Sequence, residues 1–151
     1  CVYAWADTGC IDKKSSTDLD ESIRSMYRWY RNSHFCIVYL SASRDGRIDN
    51  DPWFKRGWTL QELLAPRQLK FFYEDWSKLY FHRQYDIIEY NFMEDYDPSP
   101  ANAWDVFRWL SKRTTSRPED LSYCLLVLLD IQIPIAYGEG EERAFYRVQV
   151  E

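Results

Sequence analysis

Residues 35–40 (FCIVYL) form an unbroken apolar run rich in β-formers, and this run constrains the fold more than any other stretch of the chain. A strand with one wet face alternates apolar and polar side chains. A strand without alternation belongs in a sheet covered on both faces, the usual condition of parallel sheets. The flanking segments agree. Val2 to Ala6 (VYAWA) reads as a strand ending in a turn at Asp7 and Gly9. Leu19, Ile23, Met26, Tyr27 and Tyr30 recur at helical spacing behind a polar stretch, which predicts a helix from an N-cap at Thr17 to about Asn32. After a long polar loop over residues 42–57, Trp58 to Ala65 reads as a short helix stopped by Pro66, and Leu69 to Tyr73 (LKFFY) as the next strand. Strand and helix alternate throughout this half, so an α/β fold with a short parallel sheet and crossover helices is expected.

The second half is helical in pattern. Tyr80 to Tyr90 and Ala103 to Lys112 are separated by Pro98 and Pro100. Ser116 and Glu119 fit a capping box that opens an apolar helix over Leu121 to Leu129. Pro134, Gly138 and Gly140 mark a tight segment before a last helix from about Glu141. No linker separates two domains, and 151 residues suit a single one.

Charge and cysteine content narrow the function. The net charge is −5, which disfavours a nucleic-acid surface, and no apolar run approaches the ~20 residues of a membrane span. Cys1, Cys10, Cys36 and Cys124 lack the spacing of a zinc ribbon or a redox motif, so no metal is implied, and buried free thiols in a reducing cytosol are expected at Cys36 and Cys124. Nucleotide-loop and zinc-protease motifs are absent, and a Cys36–histidine nucleophile would lie inside a strand. Among the carboxylates Glu62 stands out. It follows the central strand on a short helix, where ligands of open parallel sheets bind beyond the strand ends. Trp58 lies four residues before it on the same face. Ser41 and Asp7 end their strands towards the same region, and Arg56 enters it from the loop. Spacing alone favours an ordinary role, with Trp58 packed on the sheet and Glu62 paired with Arg56 or Arg67.

Three segments shift that balance: residues 5–41, the block WFKRGWTLQELLAPRQLKFFYEDW, and residues 113–145 with YGEGE. In this order they closely resemble the fungal heterokaryon-incompatibility (HET) domain, across nearly the whole chain. The family's D-x-x-C-I-D is present as Asp7, Cys10, Ile11 and Asp12. The resemblance implies a filamentous fungus, non-self recognition ending in programmed cell death, a cytoplasmic location and other modules attached. It also implies an upstream strand bearing an L-S-Y-x-W-G type motif, so the chain reads as a piece without its first strand. Val127 stands where family members usually carry glycine.

HET domains in turn look like distant relatives of the Toll/interleukin-1 receptor (TIR) domain, with its flavodoxin-like sheet and a helix reading W-C-x-x-E-L. Here Trp58-Thr59-Leu60-Gln61-Glu62-Leu63 keeps the Trp and the Glu. In enzymatic TIR domains that Glu cleaves NAD⁺. The resemblance therefore implies Glu62 as the catalytic residue, Trp58 beside the nicotinamide, and Arg56, Ser41, Asp7 and Asp12 as further substrate-binding candidates. NAD⁺ enters as a substrate, with no resident cofactor. The alternative is a non-catalytic assembly module acting through self-association or protein partners.

Overall fold

The computed structural model describes residues 3–43, 48, 50–80 and 96–151. The elements run α1 (Asp7–Cys10), α2 (Ser16–Asn32), β1 (Cys36–Leu40), a 3₁₀ turn (Pro52–Lys55), α3 (Thr59–Leu64), β2 (Leu69–Tyr73), β3 (Lys78–Leu79), a second 3₁₀ turn (Pro100–Asn102), α4 (Ala103–Leu110), α5 (Asp120–Leu126) and α6 (Glu141–Gln149). The helix read over 80–90 falls almost wholly outside the described residues.

The mixed α/β class is as expected, and so is the parallel pair. β1 and β2 align in parallel from Cys36 opposite Leu69 to Leu40 opposite Tyr73, with the 3₁₀ turn and α3 as their crossover. β3 adds a short antiparallel edge, giving the order β1-β2-β3. Residues 3–6 are not a strand. Trp5 instead packs at a tilt against Trp29 and edge-on against Tyr30 of α2, at ring centroid distances of 5.1 and 5.3 Å. An aromatic in an apolar pentapeptide thus finds its partner on a helix.

β1 also departs from expectation, because it is covered on one face only. Cys36, Val38 and Leu40 are buried, whereas Ile37 is 51% and Tyr39 38% exposed. Apolar residues on both faces hide the period of two. Among the described residues, the edge of β1 away from β2 is unpaired.

α2 forms because its apolar residues fall on one stripe, burying Ile23, Met26 and Tyr27. Its N-cap is Ser15, two residues before Thr17, and the Ser15 hydroxyl accepts from Asp18 N at 3.2 Å. The core centres on Val38, Leu40, Leu60, Leu64, Phe71 and the α5 side chains Tyr123, Leu125 and Leu126. Each of these contributes about 1.5–3 kcal/mol by leaving water.

The capping box does not form, since α5 starts at Asp120 and Ser116 lies outside it. Thr114 is held instead by the loop before α3. Its N–H donates to Lys55 O (2.7 Å) and its carbonyl accepts from Gly57 N (2.9 Å). That pairing keeps residues 114–116 off the helix. Glu119 reaches forward, and its carboxylate accepts from Gly138 N (2.9 Å) and Gly140 N (3.1 Å). Both glycines have positive φ, 96° and 84°, a conformation that suits residues without Cβ.

Candidate functional site

The pairing of residues 55–57 with Thr114 builds one wall of a cleft of about 460 Å³. Gly57 permits the approach: a Cβ there would lie 2.5 Å from Thr115 Cγ2 and 3.3 Å from Cys124 Sγ. Arg56, Trp58, Thr114–Arg117, Asp120 and Tyr137 line the cleft. The apolar lining comes from Ile11, just after α1, and from Leu19, Ile23 and Met26 of α2, and Asp7 and Lys13 also line the cleft. Lys13 Nζ lies 3.9 Å from Asp7 Oδ2. The volume and the mixture of apolar and convergent polar groups suit a small organic ligand.

Glu62 does not line this cleft. Its Oε2 accepts from Trp53 Nε1 at 2.9 Å, and the Tyr30 hydroxyl is a second, weaker donor. Burial raises its pKa and the Asp7 charge adds to the rise, while the Trp53 hydrogen bond, Arg56 and Tyr30 oppose it. Among the described residues it makes no ion pair. A largely desolvated carboxylate held by neutral donors costs stability, and such groups concentrate at functional sites. The same burial pushes the Cys36 thiol up to about 12, with Glu62 a second cause, so Cys36 is an inert core thiol at neutral pH.

Two comparisons with known proteins bear on this arrangement. Residues 1–49 match the family model described as heterokaryon incompatibility protein (HET). The chain is also 38% identical, over 166 aligned residues, to a vegetative incompatibility protein of Podospora anserina, HET-E-1. The chain belongs to the heterokaryon-incompatibility (HET) family. The match to HET-E-1 takes in 97% of this chain but spans only 12% of that protein's length. No solved structure matches the chain.

Within this HET chain, the residues singled out from sequence divide into three groups. Asp7, Arg56 and Trp58 meet in the cleft. Glu62 lies close enough to Asp7 and Arg56 for both charges to act on it, although α3 turns its carboxylate towards Trp53 and Tyr30. Ser41 and Asp12 stay outside the cleft. Ser41 is exposed after β1, and the Asp12 side chain closes a local turn by accepting from Lys14 N at 3.0 Å. The cleft therefore sits between helices and loops, without residues from the carboxyl end of β1.

Sequence reading missed the groups that hold Glu62, and it gave the segments that complete the cleft, with Arg117, Asp120 and Tyr137, only capping and turn roles. Trp53 lies on a 3₁₀ turn inside the stretch read as loop. Asp51 caps that turn by accepting from Trp53 N at 3.0 Å, and Pro52 follows it, a start signal that could have been read. Thr114–Arg117 and Tyr137 arrive through long-range pairing, which carries no local signal. Among the described residues, no group of three or more His, Cys, Asp or Glu side chains could hold a metal, and no helix is long and apolar enough to cross a membrane.

Proposed function

We propose that this chain acts in heterokaryon incompatibility, as the name of its relative suggests, and that it does so in the cytoplasm by TIR-like cleavage of NAD⁺ that ends in programmed cell death. The observation that carries the reading is Glu62, a largely buried carboxylate with indole and phenol donors and no ion-pair partner among the described residues, behind the Asp7–Arg56–Trp58 end of a ligand-sized cleft.

The chemistry suits a single carboxylate. The bond between ribose C1′ and the nicotinamide nitrogen breaks, and its electron pair stays with the leaving ring, which departs neutral and needs no proton. An oxocarbenium-like ribose remains, and a fixed anion stabilises it until water adds at C1′ and releases a proton. Glu62 supplies that anion and Trp58 a flat face for the ring. Because Glu62 is set back from the cleft wall, the reading requires the ribose to enter between Arg56 and Trp58.

The test is NAD⁺ depletion by the purified protein beside Glu62→Gln, with folding checked by circular dichroism. Depletion that falls about 10²–10³-fold in a folded variant supports the reading. Absence of depletion from a wild type that still kills cells overturns it. A second reading, an assembly module, is favoured by the open face of the sheet, where the partly exposed rings of Tyr39 and Trp76 pack at a tilt with centroids 5.0 Å apart.

A further inference from the structure

We infer that Arg117 and Arg56 form an anion subsite in the cleft, built to take the phosphate groups of a nucleotide. This rests on the reading above only in taking the cleft as the substrate site.

The chain is acidic overall, with a net charge of −5, yet Lys13, Arg56 and Arg117 converge on the cleft from three separate segments. The carboxylates that share the cleft are already engaged. Asp7 lies beside Lys13, and Asp120 Oδ1 accepts from the Tyr137 hydroxyl at 2.7 Å. Neither Arg56 nor Arg117 makes an ion pair among the described residues. Glu119, the acid nearest Arg117 in sequence, turns its carboxylate to the glycine amides of the 138–140 loop. Lys13 is offset by Asp7, but two arginines against the one remaining carboxylate, Asp120, leave the cleft lining with a net positive charge that draws anions to that spot.

Arg117 is also held in place. Its guanidinium carbon lies 4.2 Å from the Tyr137 ring centroid, a cation–π contact, and the guanidinium also hydrogen-bonds to the Tyr137 side chain, which holds the fork in place with further donors to spare. Tyr137 is anchored by Asp120 at its hydroxyl and by the Glu119–glycine bonds just after it in the chain. The loop beneath is tied by Thr115 Oγ1, which donates to Arg117 O at 2.7 Å. An arginine fork prepared in this way matches two oxygens of a phosphate without further ordering. The apolar lining of the same cleft, together with Trp58, suits the heterocyclic part of the same molecule.

The experiment is a titration of the purified protein with ADP, inorganic pyrophosphate and adenosine, followed by calorimetry. ADP should bind and adenosine should bind at least tenfold more weakly. Arg117→Gln and Arg56→Gln should each weaken ADP at least tenfold while unfolding near the wild-type temperature, since both side chains are exposed. Arg117→Lys, which keeps the charge and loses the fork, should fall between. Pyrophosphate binding as tightly as ADP also supports the subsite and assigns it to a free diphosphate; tighter ADP assigns it to a nucleotide. ADP binding no better than adenosine, or unchanged in both Gln variants, overturns the subsite. The readout is independent of turnover. Intact ADP binding without NAD⁺ depletion removes only the enzyme reading, and depletion without ADP binding removes only the subsite.

Discussion

Glu62 pays for its position. Burial is the largest influence on its carboxyl and raises its pKa above the ordinary value, against the pull of Trp53 and Arg56. A folded-state pKa above the unfolded one means that the native state binds more protons in the window between them. Stability from this group is then fully present below the unfolded value and declines as pH rises through the folded value. At neutral pH the anion is a net cost. Glu62→Gln should therefore be at least as stable as wild type at pH 7, with a gain of about 0.5–2 kcal/mol of the kind seen when a functional strain is removed. The gain should shrink as pH is lowered through the window. Denaturant melts of both proteins across pH 4–8 would check this, and a variant clearly less stable at pH 7 would make Glu62 a structural anchor held by Trp53. NAD⁺ cleavage would show the opposite trend, falling as acid protonates the same group.

The cleft depends on the contact between the loop before α3 and the one before α5, and Gly57 is its tightest point. A methyl group placed there meets Thr115 Cγ2 at 2.5 Å, and a threonine side chain is too short to swing away. Gly57→Ala should cost about 1–3 kcal/mol, as overpacking does, and should push the 114–117 loop outward. Thermal unfolding would give the cost. ADP affinity would show whether the loop moved, since Arg117 travels with it. The elements on either side of this contact differ in how far the sequence could reveal them. α2 was legible because Ile23, Met26 and Tyr27 repeat at the helical period, and β2 because LKFFY is flanked by breakers. Residues 3–6 were not, because Trp5 finds its place only once Trp29 and Tyr30 share a helix face. The capping box failed for the same kind of reason: Ser116 has the right local chemistry, but Thr114 is paired with a loop more than fifty residues away. Asp7 and Arg56 were placed from a strand end and a loop and Trp58 from its spacing to Glu62; all three line the cleft, but without Glu62 or Ser41, and Arg117 and Tyr137 reach it through contacts that no window of sequence contains.

At the scale of the whole molecule the sheet separates two surfaces. One faces α3 and the core. The other presents Ile37, Tyr39 and Trp76, the last 61% exposed, beside an edge of β1 unpaired among the described residues. An apolar sheet face next to a free edge is the arrangement that promotes association between chains. The protein should accordingly self-associate as its concentration rises, and Tyr39→Thr with Trp76→Ser should reduce this in sedimentation velocity with a modest loss of stability, because Trp76 is 61% and Tyr39 38% exposed. The same pair of substitutions separates the two functional readings. If killing proceeds through NAD⁺ cleavage alone, toxicity follows Glu62 and survives the double substitution. If the chain works by assembly, toxicity is lost with the aromatic face and survives Glu62→Gln. Loss in both would mean that the face brings chains together and Glu62 then acts. In that case the double variant should regain NAD⁺ depletion when chains are clustered artificially, and Glu62→Gln should not.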